Sequence, residues 1–153
     1  MKRLLIALLL LAACGAPKPG EVTRGTLVIS GGWAPPSPNG AKTAAGYIRI
    51  ENKGDKDEHL IAVASPRADK IELHGTTTVG GMMMMTRADM LGVPAHGVLE
   101  LKPGGDHIMF FDPKAPLTNG ETIPLTLTFQ NVGVVDVSLK VRPPGKDEMG
   151  GMH

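Results

Sequence analysis

Leu125-Thr126-Leu127-Thr128-Phe129 and, shortly after, Val135-Asp136-Val137-Ser138-Leu139-Lys140-Val141 alternate apolar and polar side chains at every step. Successive residues of a β-strand point to opposite faces, so each run presents one core face and one wet face. The same period recurs upstream. Tyr47-Ile48-Arg49-Ile50 sets Ile48 and Ile50 together, and Ile71 and Leu73 alternate with Lys70, Glu72 and His74. Thr26-Leu27-Val28-Ile29-Ser30 is a β-branched run that Gly31-Gly32 is expected to end, and Leu60, Ala62 and Ala64 are expected to share a face. Turns such as Asn52-Lys53-Gly54-Asp55, Lys102-Pro103-Gly104-Gly105 and Thr118-Asn119-Gly120 separate these runs at short intervals. Many short strands, Gly/Pro turns and essentially no long helix predict an all-β sandwich of antiparallel sheets.

The ends read differently. Lys2 and Arg3 precede a short apolar run, Leu4 to Leu11, and Ala12-Ala13-Cys14 supplies small residues ahead of a cut. That run is too short to span a bilayer as a helix. Leu11-Ala12-Ala13-Cys14 resembles a bacterial lipobox, whose cysteine receives diacylglycerol and becomes the first residue of the mature chain. Residues 1–13 are therefore expected to be a lipoprotein signal peptide, and Cys14 the lipidation site that anchors the chain in the cell envelope, on the periplasmic side of a bacterial membrane. Residues 14–25, with Pro17, Pro19 and Gly20, are expected to be a tether, 26–141 a single domain, and 142–153 a flexible tail rich in Pro and Gly.

Committing the only cysteine to lipid removes disulfides, thiolate-bound zinc and cysteine nucleophiles together. Loss of Lys2 and Arg3 leaves fourteen basic against fifteen acidic residues, close to neutral. No basic stripe or aromatic platform points to nucleic acid.

Within the domain, period-2 geometry isolates a group of metal ligands. In Ile71-Glu72-Leu73-His74 the apolar pair takes the core, so His74 faces away from it. In His107-Ile108-Met109-Phe110 the apolar pair again claims the core, leaving His107 and Met109 together on the other face. The run Met82-Met83-Met84-Met85 follows the Gly80-Gly81 turn; as a strand it sends Met83 and Met85 one way and Met82 and Met84 the other. Thioether and imidazole together suit a soft monovalent ion, Cu(I) above all. Methionine also fills core gaps, and exposed methionines also make apolar contact patches. The residues by themselves leave both readings open. His59, after Asp55-Lys56-Asp57-Glu58 in a solvated turn, and His96, in a loop, have no partner at ligand spacing.

The pattern His74-(x)10-Met85-(x)21-His107-x-Met109 resembles the signature of the periplasmic copper chaperone family called PCu(A)C at all four positions. Ala44-Ala45-Gly46-Tyr47, Leu99-Glu100-Leu101-Lys102-Pro103-Gly104-Gly105 and Ile123-Pro124-Leu125-Thr126-Leu127-Thr128-Phe129 are similar in style, so the resemblance runs from about Gly25 to Val141. One position departs. Many members carry Met or His one or two residues after the first histidine, where this chain has Gly75 and Thr76. The resemblance implies a cupredoxin-like Greek-key sandwich with an exposed Cu(I) site made by His74, Met85, His107 and Met109, with Met83 as a neighbouring thioether. Met149, Met152 and His153 resemble the Met/His-rich extensions of some members and imply a second copper ion at the tail. It further implies copper delivery to the binuclear copper centre of cytochrome oxidase, together with a thioredoxin-like copper assembly protein; the chain is expected to be a non-enzymatic monomer, with its membrane anchor supplied by Cys14.

Other functions fit less well. Blue-copper electron transfer needs a cysteine thiolate that the mature chain cannot spare. A copper oxygenase led by an N-terminal histidine is at odds with Cys14 as the first residue, and no hydrolytic triad or carboxylate pair stands out. Copper storage or detoxification would use the same ligands as delivery. A non-metal surface sandwich would use the methionines as a contact patch.

Overall fold

Residues 20–148, the part of the chain described by the computed structural model, are built from strands, with no helix among them. The strands are β1 (Val22–Arg24), β2 (Leu27–Ala34), β3 (Thr43–Asn52), β4 (Glu58–Ala64), β5 (Lys70–Val79), β6 (Met82–Ala88), β7 (Leu91–Val93), β8 (Val98–Glu100), β9 (His107–Phe111), β10 (Thr122–Phe129) and β11 (Gly133–Val141). The two runs with the strictest alternation form one hairpin, β10–β11, in which Ile123 faces Leu139, Leu125 faces Val137 and Leu127 faces Val135. All six are buried. Each such side chain contributes about 1.5–3 kcal/mol relative to exposure. On the wet face Thr126 donates to Asp136 at 2.7 Å.

Neighbouring strands follow the order β6-β5-β9-β3-β2-β11-β10-β4-β7, with β1 added to β2 and β8 to β3. Long β3 makes the fold turn: Thr43–Gly46 pair with β9, while Arg49–Glu51 pair with β8 and, on the other edge, β2. The sheet wraps on itself so that the inward faces enclose Ile29, Ile50, Leu60, Ile108, Phe110 and Phe129 in one core.

Several sequence expectations change at this level. Val22–Arg24, placed in the tether by composition, pairs with β2 as β1. The pairings are antiparallel except at the seam between β2 and β11, which run parallel through Trp33–Lys140 and Ala34–Val141. These strands come from opposite ends of the domain, so no short turn dictates their direction. Gly31-Gly32 does not end β2; the strand continues to Ala34, and an extra residue there shifts its register against β3. Gly32 is required by the seam, because a Cβ on it would stand 2.5 Å from the Ser138 carbonyl oxygen. In β4 a bulge at Ile61 breaks the alternation, so Val63 rather than Ala62 packs with Leu60 against the core. Finally, Glu58 is not in a solvated turn: it opens β4 and is 4% exposed.

Arg142–Glu148, assigned by composition to the tail, folds back on the domain. The Arg142 N–H donates to the Ala34 carbonyl, its guanidinium lies 4.3 Å over the Trp33 ring, and it grips Glu148 through two 2.8 Å contacts. Trp33 in turn stacks against Tyr47 with ring centroids 4.8 Å apart.

Candidate metal centre

Register brings the candidate ligands to one face. Strands β5 and β9 pair antiparallel with His74 opposite His107 and Glu72 opposite Met109. Directly opposed residues project to the same side, and Leu73, Ile108 and Phe110 occupy the core side as expected. The two imidazole centroids lie 5.3 Å apart at an interplanar angle of 56°. One step further along β3, Tyr47 falls on this same face of the sheet, together with Trp33 opposite it on β2.

The polar contacts orient both rings. His107 Nδ1 lies 3.0 Å from the Gly105 carbonyl oxygen. A carbonyl only accepts, so Nδ1 carries a proton, which in the neutral ring leaves the lone pair on Nε2. His74 Nε2 lies 3.0 Å from Glu72 Oε2, and Lys70 Nζ lies 3.2 Å from Glu72 Oε1. The hydrogen bond from His74 holds the Glu72 carboxyl below the ordinary carboxylate value against the upward push of burial, and Lys70 adds to the lowering. Phe111, 6.1 Å from His74 between centroids and capped by Lys70, closes one side of the group.

His107 is 5% exposed, not the open ligand expected from alternation. Alternation predicts which face a side chain takes but not its lateral cover, and β9 is an interior strand with β5 on one side and β3 on the other.

Met85 stands apart. It lies opposite Thr76 on β5, and Met83 lies opposite Thr78, so both share the face of His74. Strand β5 nevertheless separates β6 from β9, a gap of about 9.5 Å at ordinary strand spacing. The register therefore makes His74, His107 and Met109 contiguous and puts Met85 one strand further out. The Gly80-Gly81 turn, with φ of +59° and +81°, closes a two-residue hairpin loop of the kind that needs positive φ at both positions. Leu73 and Ala88 are the last pair of this hairpin touching the core. Beyond them the arm projects free, so all four methionines are exposed rather than only two, at 70%, 63%, 46% and 53% for Met82 to Met85.

Of the two positions where the chain departs from the PCu(A)C pattern, only Thr76 faces the candidate ligands. Gly75 points to the core side, where an added Cβ would meet the Ala88 side chain at 3.6 Å. The Thr76 N–H donates to Asp106 Oδ1 at 2.9 Å, while its hydroxyl is buried without a partner. Glu72 is the participant missed by ligand spacing, although its place two residues before His74 on the same strand face was a sufficient signal. Among the described residues, no three His, Cys, Asp or Glu side chains converge as a metal cage. His59 and His96 lie elsewhere, the latter paired with Asp55 at 2.7 Å. Cys14, Met149, Met152 and His153 fall outside the described residues.

Residues 27–141 match the family described as "Putative lipoprotein LpqE-like". The "Putative lipoprotein Lxx21020" of Leifsonia xyli subsp. xyli is 32% identical over 128 residues, covering 83% of this chain and 75% of the relative. Among solved structures, an "Apo PCuAC domain from PmoF1" is 27% identical with a TM-score of 0.71 over 81% of this chain and 99% of that domain. The Cu(I) form of DR1885 from Deinococcus radiodurans is 31% identical with a TM-score of 0.63 over 80% of each chain. The cupredoxin-like sandwich expected from the sequence is the fold of these domains.

Proposed function

The chain belongs to the LpqE-like lipoprotein family, which is the PCu(A)C family, and on that premise we propose that it is an extracytoplasmic copper chaperone, anchored through Cys14, that carries Cu(I) to a partner. The observation that carries this reading is the His74–His107 pair opposed across β5 and β9 with Met109 on the same face. Two neutral imidazoles and thioether sulfur favour a cuprous ion over harder or divalent competitors. His107 supplies Nε2, Met109 supplies sulfur from the same strand, and the β6 arm swings Met85, with Met83 behind it, over the ion.

This arrangement suits transfer. His107 is shielded, so the histidine pair retains copper, while the exposed thioethers of the arm are where an incoming protein reaches the cargo. Release then proceeds by exchanging one ligand at a time, with no catalytic step. The receiving protein in this reading is the copper subunit of cytochrome oxidase, directly or through a thioredoxin-like assembly protein. Met149, Met152 and His153 are assigned a second, weaker copper site.

Competition against a chromophoric Cu(I) chelator tests the reading. The purified protein should withdraw copper from the chelator with a main step of one ion per chain, and His107→Ala should weaken that step strongly. Failure of the wild-type protein to compete would sink the proposal. A delivery role is separated from storage by incubating the loaded protein with an apo copper-site domain of the oxidase and following metal transfer.

A further inference from the structure

We propose that Glu72 decides which nitrogen His74 gives to copper: it holds Nε2–H, so that His74 binds through Nδ1 while His107 binds through Nε2. This rests on the copper-carrier reading and adds a positioning residue outside the His/Met set. Glu72 and His74 are two apart on β5, so they share a face, and Glu72 Oε2 lies 3.0 Å from His74 Nε2. The carboxylate is clamped from its other side as well, by Lys70 Nζ at 3.2 Å from Oε1. An ionised carboxylate only accepts hydrogen bonds, so the shared proton sits on Nε2, and in the neutral ring that binds metal the lone pair is left on Nδ1. His107 is the reverse case, with Nδ1–H given to the Gly105 carbonyl at 3.0 Å.

The two imidazoles therefore present unlike nitrogens to one ion, each fixed by an acceptor behind it. A carboxylate in that place orients a ligating imidazole and raises its basicity, and removing such a partner typically costs 10- to 100-fold in metal affinity. Glu72 also faces Met109 across the strand pair, so the same carboxylate borders the sulfur ligand. The period of the strand builds this support in; no loop has to close to supply it.

The test uses the 15N-labelled full chain, read by ring-nitrogen NMR without copper and with Cu(I), which is diamagnetic. In the apo protein the Hε2 proton of His74 should be visible, protected from exchange by Glu72. It should persist in Glu72→Gln, whose amide oxygen accepts the same bond, and vanish in Glu72→Ala. On loading, Nδ1 of His74 and Nε2 of His107 should shift while Hε2 of His74 stays. Chelator competition should show Glu72→Ala weakened on the order of 10- to 100-fold and Glu72→Gln by less. Loss of Hε2 on copper binding, or a Glu72→Ala variant that keeps both the proton and the affinity, would overturn this proposal alone. A wild-type protein that binds no Cu(I) would overturn the carrier reading and this one with it.

Discussion

Glu58 Oε1 accepts two hydrogen bonds from Asn131, one from the main-chain N–H at 3.0 Å and one from the side-chain amide at 3.1 Å. The link ties the start of β4 to the turn between β10 and β11, and Oε2 adds the Val132 N–H at 2.9 Å. Burial alone would push the Glu58 carboxyl up, but these donors and the His59 N–H outweigh it, and the net shift is downward.

Glu58→Ala should therefore destabilise the domain by about 2–3 kcal/mol, since it strands main-chain donors around a buried site. The sign of the pH effect follows from the lowered value. The stabilisation is complete above the ordinary carboxylate value of about 4.5 and is lost as pH falls through the depressed folded value. Urea unfolding from pH 7 downward should show this acid loss in the wild type and a flatter limb in Glu58→Gln.

The spacing of the strands ranks the proposed copper ligands. His107→Ala and His74→Ala should each weaken Cu(I) binding by about 100-fold or more, exceeding the loss for a second-layer partner. Met85→Ala, on the far side of β5, should lose about 10-fold or less. Chelator competition on the three single variants gives the order directly, and a Met85 loss equal to that of His107 would contradict the register.

Arg142 covers Trp33, which is the sole tryptophan. Arg142→Ala should red-shift Trp33 emission and cost roughly 0.5–1 kcal/mol, the scale of a solvent-facing cation–π contact and ion pair. The hydrogen bond from Arg142 pulls the Glu148 carboxyl down to about 2. Its contribution is thus present above the ordinary value near 4.5 and fades as pH falls through about 2. Trp33 emission followed between those limits should report the contact opening in acid, and a flat trace would contradict the pairing.

Gly32→Ala should be among the most damaging substitutions outside the hydrophobic core. The new methyl would meet the Ser138 carbonyl, Leu139 and Ile48 at once, and overpacking of this sort costs about 1–3 kcal/mol. Thermal melts should place it well below Gly92→Ala, a position with open space around it and no positive φ.

Period-2 alternation made much of this architecture legible. Leu73, Ile108 and Phe110 claim the core, and that alone puts His74, His107 and Met109 on the opposite face. What alternation does not encode is which strands lie side by side. The cover over His107 and the separation of Met85 from β9 both depend on sheet order, and the parallel seam depends on how the chain ends meet. Bulges at Gly31-Gly32 and Ile61 break the period locally, which is why β2 runs longer than its β-branched stretch and why Val63 replaces Ala62 inside. Glu58 eluded the sequence because an acidic run resembles a solvated loop until its partners, Asn131 and Val132, are brought alongside.

Four thioethers exposed on the β5–β6 arm are open to peroxide. Conversion to sulfoxide replaces a soft sulfur donor with a polar oxygen and takes that side chain out of cuprous chemistry until a reductase restores it. The sandwich beneath would not register the damage, because no core packing relies on Met82 to Met85. Mild peroxide should therefore mark the arm in a peptide mass map while the melting temperature stays put, making this hairpin an oxidant-sensitive element on an otherwise indifferent scaffold.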